Sequence, residues 1–350
     1  MARPRIKDVA LRAGVSEKTV SNVINDYEHV SERTRKAVRE AIAELGYRVN
    51  LAGRHLRRGR TGIIALVLPE LDFPYFADLA NGIITEAERN GLTVLLHQTR
   101  ADRQHELSAL HGFDHDFADG VILSPLALTT EDLRDRRRTL PAVLLGEAIE
   151  PGWADHVAID NVRAARDATE HLISIGRRRI LVVGGSDAPP PGTAEARTLG
   201  YRQALDAAGL PYDPAAVMPV AQFRMPHGAA AVARALDAGP RPDAVLCLND
   251  QMALGAIRTL HERGLRVPRD VAVVGFDDVE GGRFSVPTLT TVSPDKKAVA
   301  RVAVELLLLR IAEAAGGSGN ADLPPEERVV PHRLAIREST AGPAAAAPAG

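Results

Sequence analysis

With 350 residues, 45% hydrophobic and 25% charged, the chain has the length for a small module plus one large or two medium domains and the composition of a globular protein. Its aliphatic stretches, such as Leu306 to Leu309, are far too short to span a bilayer, and its single cysteine, Cys247, excludes an internal disulfide and a zinc finger. The net charge of −2 hides an asymmetry: residues 1–60 hold 14 Lys and Arg against 7 Asp and Glu, net +7, and the remainder is net −9, the footprint of a nucleic-acid-binding module on a body that avoids the polyanion.

Met1 to Ala10 alternates charged and apolar residues and lacks the apolar stretch of a secretory signal, so a cytoplasmic location is expected. Ile6, Val9, Ala10 and Ala13 then fall on one face of a two-turn helix that Gly14 ends. Ser16 offers an N-cap to a second helix with Val20, Val23 and Ile24 on its apolar face, leaving Gly14 and Val15 to turn the chain, which is helix-turn-helix spacing. After the polar link Asn25 to His29, Ser31 caps a third helix bearing Val38, Ala41, Ile42 and Leu45 and closed by Gly46. On the second helix Glu17, Lys18, Ser21 and Asn22 are polar side chains able to read base edges in a major groove, while Ser16 and Thr19 suit phosphates.

The residues Ile6-Lys7-Asp8-Val9-Ala10, Ala13-Gly14-Val15-Ser16, Thr19-Val20-Ser21, Val23-Ile24-Asn25, Val30-Ser31, Thr34-Arg35 and Glu44-Leu45-Gly46-Tyr47 resemble the head of the LacI/GalR family of bacterial regulators. The family's hinge follows in register as Asn50-Leu51-Ala52-Gly53-Arg54-His55-Leu56, and the resemblance implies that Leu56 wedges into the minor groove at the operator centre. Lys7, Asn25, Ser31, Asn50, Gly53, Arg54 and Arg57 join the expected DNA-binding set. A helix of about two turns is unstable alone in water, so the hinge is expected to order only against DNA and a partner hinge. Val49 stands where the family usually has proline and Gly53 where it has alanine; glycine inside a helix costs about 1 kcal/mol relative to alanine, so a looser hinge is expected.

From Ile63 onward short aliphatic runs alternate with helical stretches: Ile63 to Leu68, Val94 to Leu96, Val121 to Leu123, Val143 to Leu145, Ile180 to Val183, Ala244 to Leu248 and Val271 to Val274 read as buried parallel strands, with Ala77 to Asn90 and Asn161 to Ile175 as helices between them. Repeated βα units require doubly wound sheets. The resemblance, over residues 5 to about 340, implies a periplasmic-binding-protein-like α/β body of two Rossmann-like lobes behind a small all-α head. The expected division is a head at 1–47, a hinge at 48–60, a first lobe at 61–160 plus 293–323, a second at 161–290 plus 324–340, and a disordered tail at 341–350. The chain would cross between lobes near Ala158 to Asn161, Thr290 to Ser293 and Leu323 to Glu327.

In open α/β sheets ligands bind beyond the carboxyl ends of the strands, where this sequence places Phe73, Tyr75 and Phe76, then Ser124, Asn249 with Asp250, and Phe276 with Asp277. Aromatic faces beside carboxylates and amides suit a small polyhydroxylated ligand, so a sugar or sugar derivative is the expected effector. Matching Ala196-Arg197 with Gly200-Tyr201, Asn249-Asp250 and Gly275-Phe276-Asp277-Asp278 to the family implies effector contacts from Arg197, Asn249, Asp250 and Asp277, with Phe223 as a cover and Asp160 at the first crossing. The three prolines in Asp187 to Thr193 imply an enlarged loop beside Arg197.

His105-Glu106 with His111 and His115 lacks the HExxH spacing of a metal site and reads as a solvated helix face. No nucleophile elbow, P-loop or dinucleotide fingerprint occurs, so neither enzymatic activity nor a cofactor is expected. The expectation is a ligand-responsive regulator, a repressor, binding palindromic double-stranded DNA as a homodimer, without membrane contact. The alternatives are a purine- or other metabolite-responsive regulator of the same build, a sugar-binding receptor without DNA function, and an α/β enzyme with an accessory DNA-binding head.

Overall fold

The computed structural model describes residues 4–24, 27, 29–47, 60–112, 117–134, 140–146, 152–188, 192–315 and 324–342. Asn25, Val49, Asn50, Gly53, Arg54, Leu56, Arg57, His115, Pro190 and residues 343–350 therefore lie outside it, and with them the expected hinge contacts and tail. The chain divides into two compact units, Met1–Thr61 and Gly62–Gly350.

The first unit holds α1 (Ile6–Ala13), α2 (Glu17–Ile24) and α3 (Glu32–Leu45) around a core of Val9, Ala10, Val20, Val23, Val38 and Ala41. Its boundaries are set by local chemistry. Gly14 and Gly46 end α1 and α3 at φ +66° and +59°, a left-handed conformation that costs glycine least. Ser16 Oγ accepts from Thr19 N at 3.1 Å and Ser31 Oγ from Thr34 N at 3.3 Å; caps of this kind contribute about 1 kcal/mol each.

The second unit runs β1 (Ile63–Leu68), α4 (Pro74–Arg89), β2 (Thr93–Gln98), α5 (Arg103–Gly112), β3 (Gly120–Leu123), α6 (Thr130–Arg134), β4 (Ala142–Leu145), β5 (Asp155–Ile159), α7 (Asn161–Ser174), β6 (Ile180–Val183), α8 (Thr193–Ala207), β7 (Val217–Met218), α9 (Met225–Ala238), β8 (Ala244–Cys247), α10 (Asp250–Glu262), β9 (Ala272–Phe276), α11 (Glu280–Arg283), β10 (Thr290–Pro294), α12 (Lys296–Ala315), β11 (Glu327–Val330), β12 (His332–Ala335) and α13 (Glu338–Ala341). These strands form two six-stranded sheets, ordered β11-β5-β4-β3-β1-β2 and β12-β10-β9-β8-β6-β7. Every pairing is parallel except that of β12 with β10.

The aliphatic runs read from the sequence all appear as strands. β2, however, is an open edge rather than a buried strand: Leu95 and Leu96 are about 40% exposed, at 43% and 41%. The unread strands are those with short or polar sequences, β5, β7 and β10 to β12. Asp155 on β5 is buried because Arg310 of α12 donates to both its oxygens, at 2.7 and 2.6 Å, and Glu326 N adds a third bond at 2.8 Å.

The chain passes between the sheets three times, each time through one residue: Asp160 between β5 and α7, Asp295 between β10 and α12, and Pro331 between β11 and β12. Asp160 and Asp295 cap the helices that follow them, accepting from Arg163 N at 2.8 Å and Ala298 N at 2.9 Å. The third passage falls later than the expected Leu323 to Glu327, because Glu327 to Val330 pair in parallel with His156 to Ile159 and so belong to the first sheet.

Candidate ligand cavity and recognition helix

A cavity of about 550 Å³ opens between the strand ends of the two sheets. Its first-lobe wall is largely apolar, with Phe73, Tyr75, Phe76, Ser124 and Leu126; its second-lobe wall is polar, with Asn161, Glu195, Arg197, Asn249 and Asp277. Phe223 and Arg224 also border it. Eight expected ligand residues therefore meet around one space: Phe73, Tyr75, Phe76, Ser124, Arg197, Phe223, Asn249 and Asp277.

The aromatic wall follows from the β1–α4 connection. Phe73 precedes Pro74, which starts α4, and the Phe76 ring lies 5.6 Å from Phe73 and 5.3 Å from Tyr75 in tilted and edge-on contacts. Opposite it, α8 lies so close on α7 that a Cβ on Gly200 would stand 2.0 Å from Val162 O; only glycine fits, and the approach brings Arg197 onto Asn161. Arg197 is buried, donates from Nε to Asn161 Oδ1 at 2.7 Å and from Nη1 to Leu248 O, and stacks 3.4 Å above the Phe276 ring. Asn249 caps α10 through Met252 N at 2.8 Å and donates Nδ2 to Phe223 O at 2.8 Å, tying the cover segment to the strand end. Asp277 is presented at φ +111°, followed by Asp278 at +51°, backbone conformations that side-chain-bearing residues rarely hold and that concentrate at functional turns.

Three expected ligand residues do not border the cavity. Asp160 turns its carboxylate to the start of α7 as a cap. Phe276 is fully buried and serves as the platform for Arg197. Asp250 is fully buried too, accepting from Thr291 Oγ1 at 2.6 Å and Val279 N at 2.8 Å, so it anchors the turn that carries Asp277. Burial, with the Asp277 charge nearby, lifts its carboxyl to about 8. Burial also raises Asp278, but hydrogen bonds from Arg283, Arg337 and Ser293 outweigh this and hold it near 2.

Other residues of the site were not read from the sequence. Asn161 is one. Behind the first wall, Glu106 departs from the expected solvated face, on which His105 does lie exposed: it is a fully buried carboxylate accepting from Leu126 N, Ala127 N and Leu128 N at 3.0, 3.0 and 2.9 Å, which pins the loop bordering that wall. Arg224 bridges the lobes, donating to Asp72 at 3.0 and 3.1 Å and to Glu70, which also borders the cavity. The Asp72 carboxyl is held below its usual value by the Arg224 hydrogen bond.

In the head, Glu17, Lys18 and Lys7 are exposed, and Ser21 and Asn22 half-buried. Ser16 and Ser31 use their hydroxyl oxygens as helix caps, and Ser16 Oγ also meets Thr19 Oγ1 at 2.9 Å.

Taken each by itself, a three-helix unit with a capped second helix and a two-sheet unit enclosing a cavity at its strand ends are the parts of a DNA-binding regulator with a ligand-sensing domain. Residues 5–50 match the model described as bacterial regulatory proteins, lacI family, and residues 169–340 match a periplasmic binding protein-like domain. The transcriptional regulator CelR of Thermobifida fusca is 36% identical over 348 residues, covering 96% of this chain and 98% of CelR. A structure of a CelR–cellobiose complex is 34% identical, with a TM-score of 0.69 over 96% of this chain and 100% of that one. The lac repressor dimer bound to operator and the anti-inducer ONPF is 27% identical, with a TM-score of 0.83 over 97% and 99% of the two chains. The chain belongs to the LacI family of transcriptional regulators.

Proposed function

We propose that this regulator is a repressor that binds a palindromic operator as a homodimer and is controlled by a sugar held between its lobes. The observation that carries the reading is the cavity itself: one wall offers aromatic faces for sugar C–H groups, and the other offers Arg197, Asn249 and Asp277 for hydroxyls. The CelR–cellobiose complex supports a sugar, and the operator-bound lac repressor dimer supports pairing on DNA. Pairing is also favoured by exposed apolar residues on both lobes, Leu95 and Leu96 at the β2 edge and Phe284 and Val286 at 80% and 92% exposure. Glu17, Lys18, Ser21 and Asn22 read bases, with Lys7 and the hinge residues Asn50, Gly53, Arg54, Leu56 and Arg57 positioning the chain on DNA. The work is regulatory rather than catalytic, and its setting is the cytoplasm.

Control requires a ligand with unequal affinity for two lobe arrangements; moving operator-competent molecules from nearly all to nearly none takes roughly 5.5 kcal/mol of preference. The test is thermal shift with uncharged mono- and disaccharides, with purines as the contrast, followed by operator release by any sugar that binds. Asp277→Ala is expected to keep operator binding and weaken the sugar roughly 10- to 100-fold. Loss of DNA binding in that variant, or stabilisation by purines alone, would overturn the reading.

A further inference from the structure

Asn161 opens α7 directly after the first passage between the lobes, borders the cavity and is 3% exposed. Its orientation is fixed by chemistry: Arg197 Nε can only donate, so the atom it meets at 2.7 Å is the carbonyl oxygen Oδ1, and the amide group Nδ2 is turned away from the guanidinium. Nδ2 is buried and meets no acceptor among the described residues. Buried donors are almost always satisfied, by protein, ordered water or ligand. Holding Arg197 does not by itself call for an amide. Aspartate would accept from the guanidinium as well and add a full ion pair, so what asparagine adds at this position is the donor.

We propose that the Asn161 carboxamide reads the ligand: Nδ2 donates to an oxygen of the bound sugar beside Arg197, making Asn161 a specificity-determining residue that selects ligands carrying an acceptor there. The proposal rests on the reading of the cavity as a sugar site. The same side chain grips Arg197 of α8 and stands one residue past Asp160, so a sugar oxygen bonded to it is tied to the start of the second lobe. A ligand without that oxygen leaves the donor buried and unpaired, and sites built around a donor reject such analogues strongly.

The experiment compares the full-length wild type with Asn161→Asp, which keeps size and the acceptor for Arg197 but loses the donor. Titration calorimetry with the sugar that binds the wild type, followed by its monodeoxy forms, is the readout. The expected result is a loss of at least tenfold for Asn161→Asp with an unliganded melting midpoint close to that of the wild type. One deoxy form, lacking the oxygen that Nδ2 reads, binds wild type and variant equally; the others keep the full ratio. Equal affinity of wild type and variant for the intact sugar, or a ratio unchanged across every deoxy form, overturns the proposal. If Asn161→Asp does not fold, Asn161→Ala is read through the same series, and failure of both to fold makes the role structural and overturns it. If no sugar binds the wild type, the sugar reading falls and this inference with it; a sugar that binds both forms alike removes this inference alone.

Discussion

The two walls of the cavity are built from the same kind of strand end but are held in place differently. The second wall is positioned by its own polar side chains: Asn249 caps a helix and ties Phe223, Arg197 grips Asn161, and Asp250 anchors the Asp277 turn. The first wall is aromatic and has little polar chemistry of its own, so its loop is pinned from outside the cavity, by Glu106 beneath it. A polar wall can therefore be retuned one ligand contact at a time, whereas the apolar wall depends on a carboxylate no ligand touches. Changes in the first should appear as stability and changes in the second as specificity.

The sharpest way to break this contrast is Glu106→Ala. It leaves three backbone N–H groups without their acceptor, and urea denaturation should show a loss of about 3–5 kcal/mol. A loss under about 1 kcal/mol would mean that packing alone holds the first wall.

Asp250 sharpens it from the other side. Its folded value near 8 lies above the ordinary 3.8, so the native state holds a proton that the unfolded chain has released. Its contribution is therefore complete below about pH 4, is lost as pH rises toward 8, and is level above that. Wild type should therefore lose stability across this window relative to Asp250→Asn, measured as stability against pH. Parallel curves for the two proteins would remove the assigned protonation.

The smallest effect is expected at the mouth. Arg224 is about a third exposed, at 32%, so Arg224→Ala should cost about 1 kcal/mol or less, and salt should shrink the difference. Its signature is a few-fold change in sugar affinity, because the pairs it loses are the ones that join the lobes at the cavity rim.

How much of this was legible follows the range of the forces involved. Gly14, Gly46, Ser16 and Ser31 act within four residues of themselves, so the ends of α1 to α3 could be read directly. The long aliphatic strands carry their burial in their composition. By contrast, β5 is stabilised by Arg310, 155 residues away from Asp155, and no local pattern announces that. The site divided the same way. Residues just beyond strand ends were found by position, but position cannot say which way a carboxylate turns, and Asp250 and Asp160 turn toward helix and loop amides. Asn161 went unread beside Asp160, because its value depends on the close approach of α8 that Gly200 permits.

The single-residue passages have a mechanical meaning. A tether of one residue reaches at most about 4 Å, so the sheets have almost no freedom to slide or separate, and the remaining motion is torsion. Two of the three tethers are also stitched together, with Asp295 N bonded to Pro331 O at 3.1 Å, and proline fixes one backbone angle of the shortest strand-to-strand link. The body is thus geared like a clamshell on a stiff pin. A small displacement at the cavity becomes a rotation, and its amplitude grows with distance from the pin toward the far ends of the lobes.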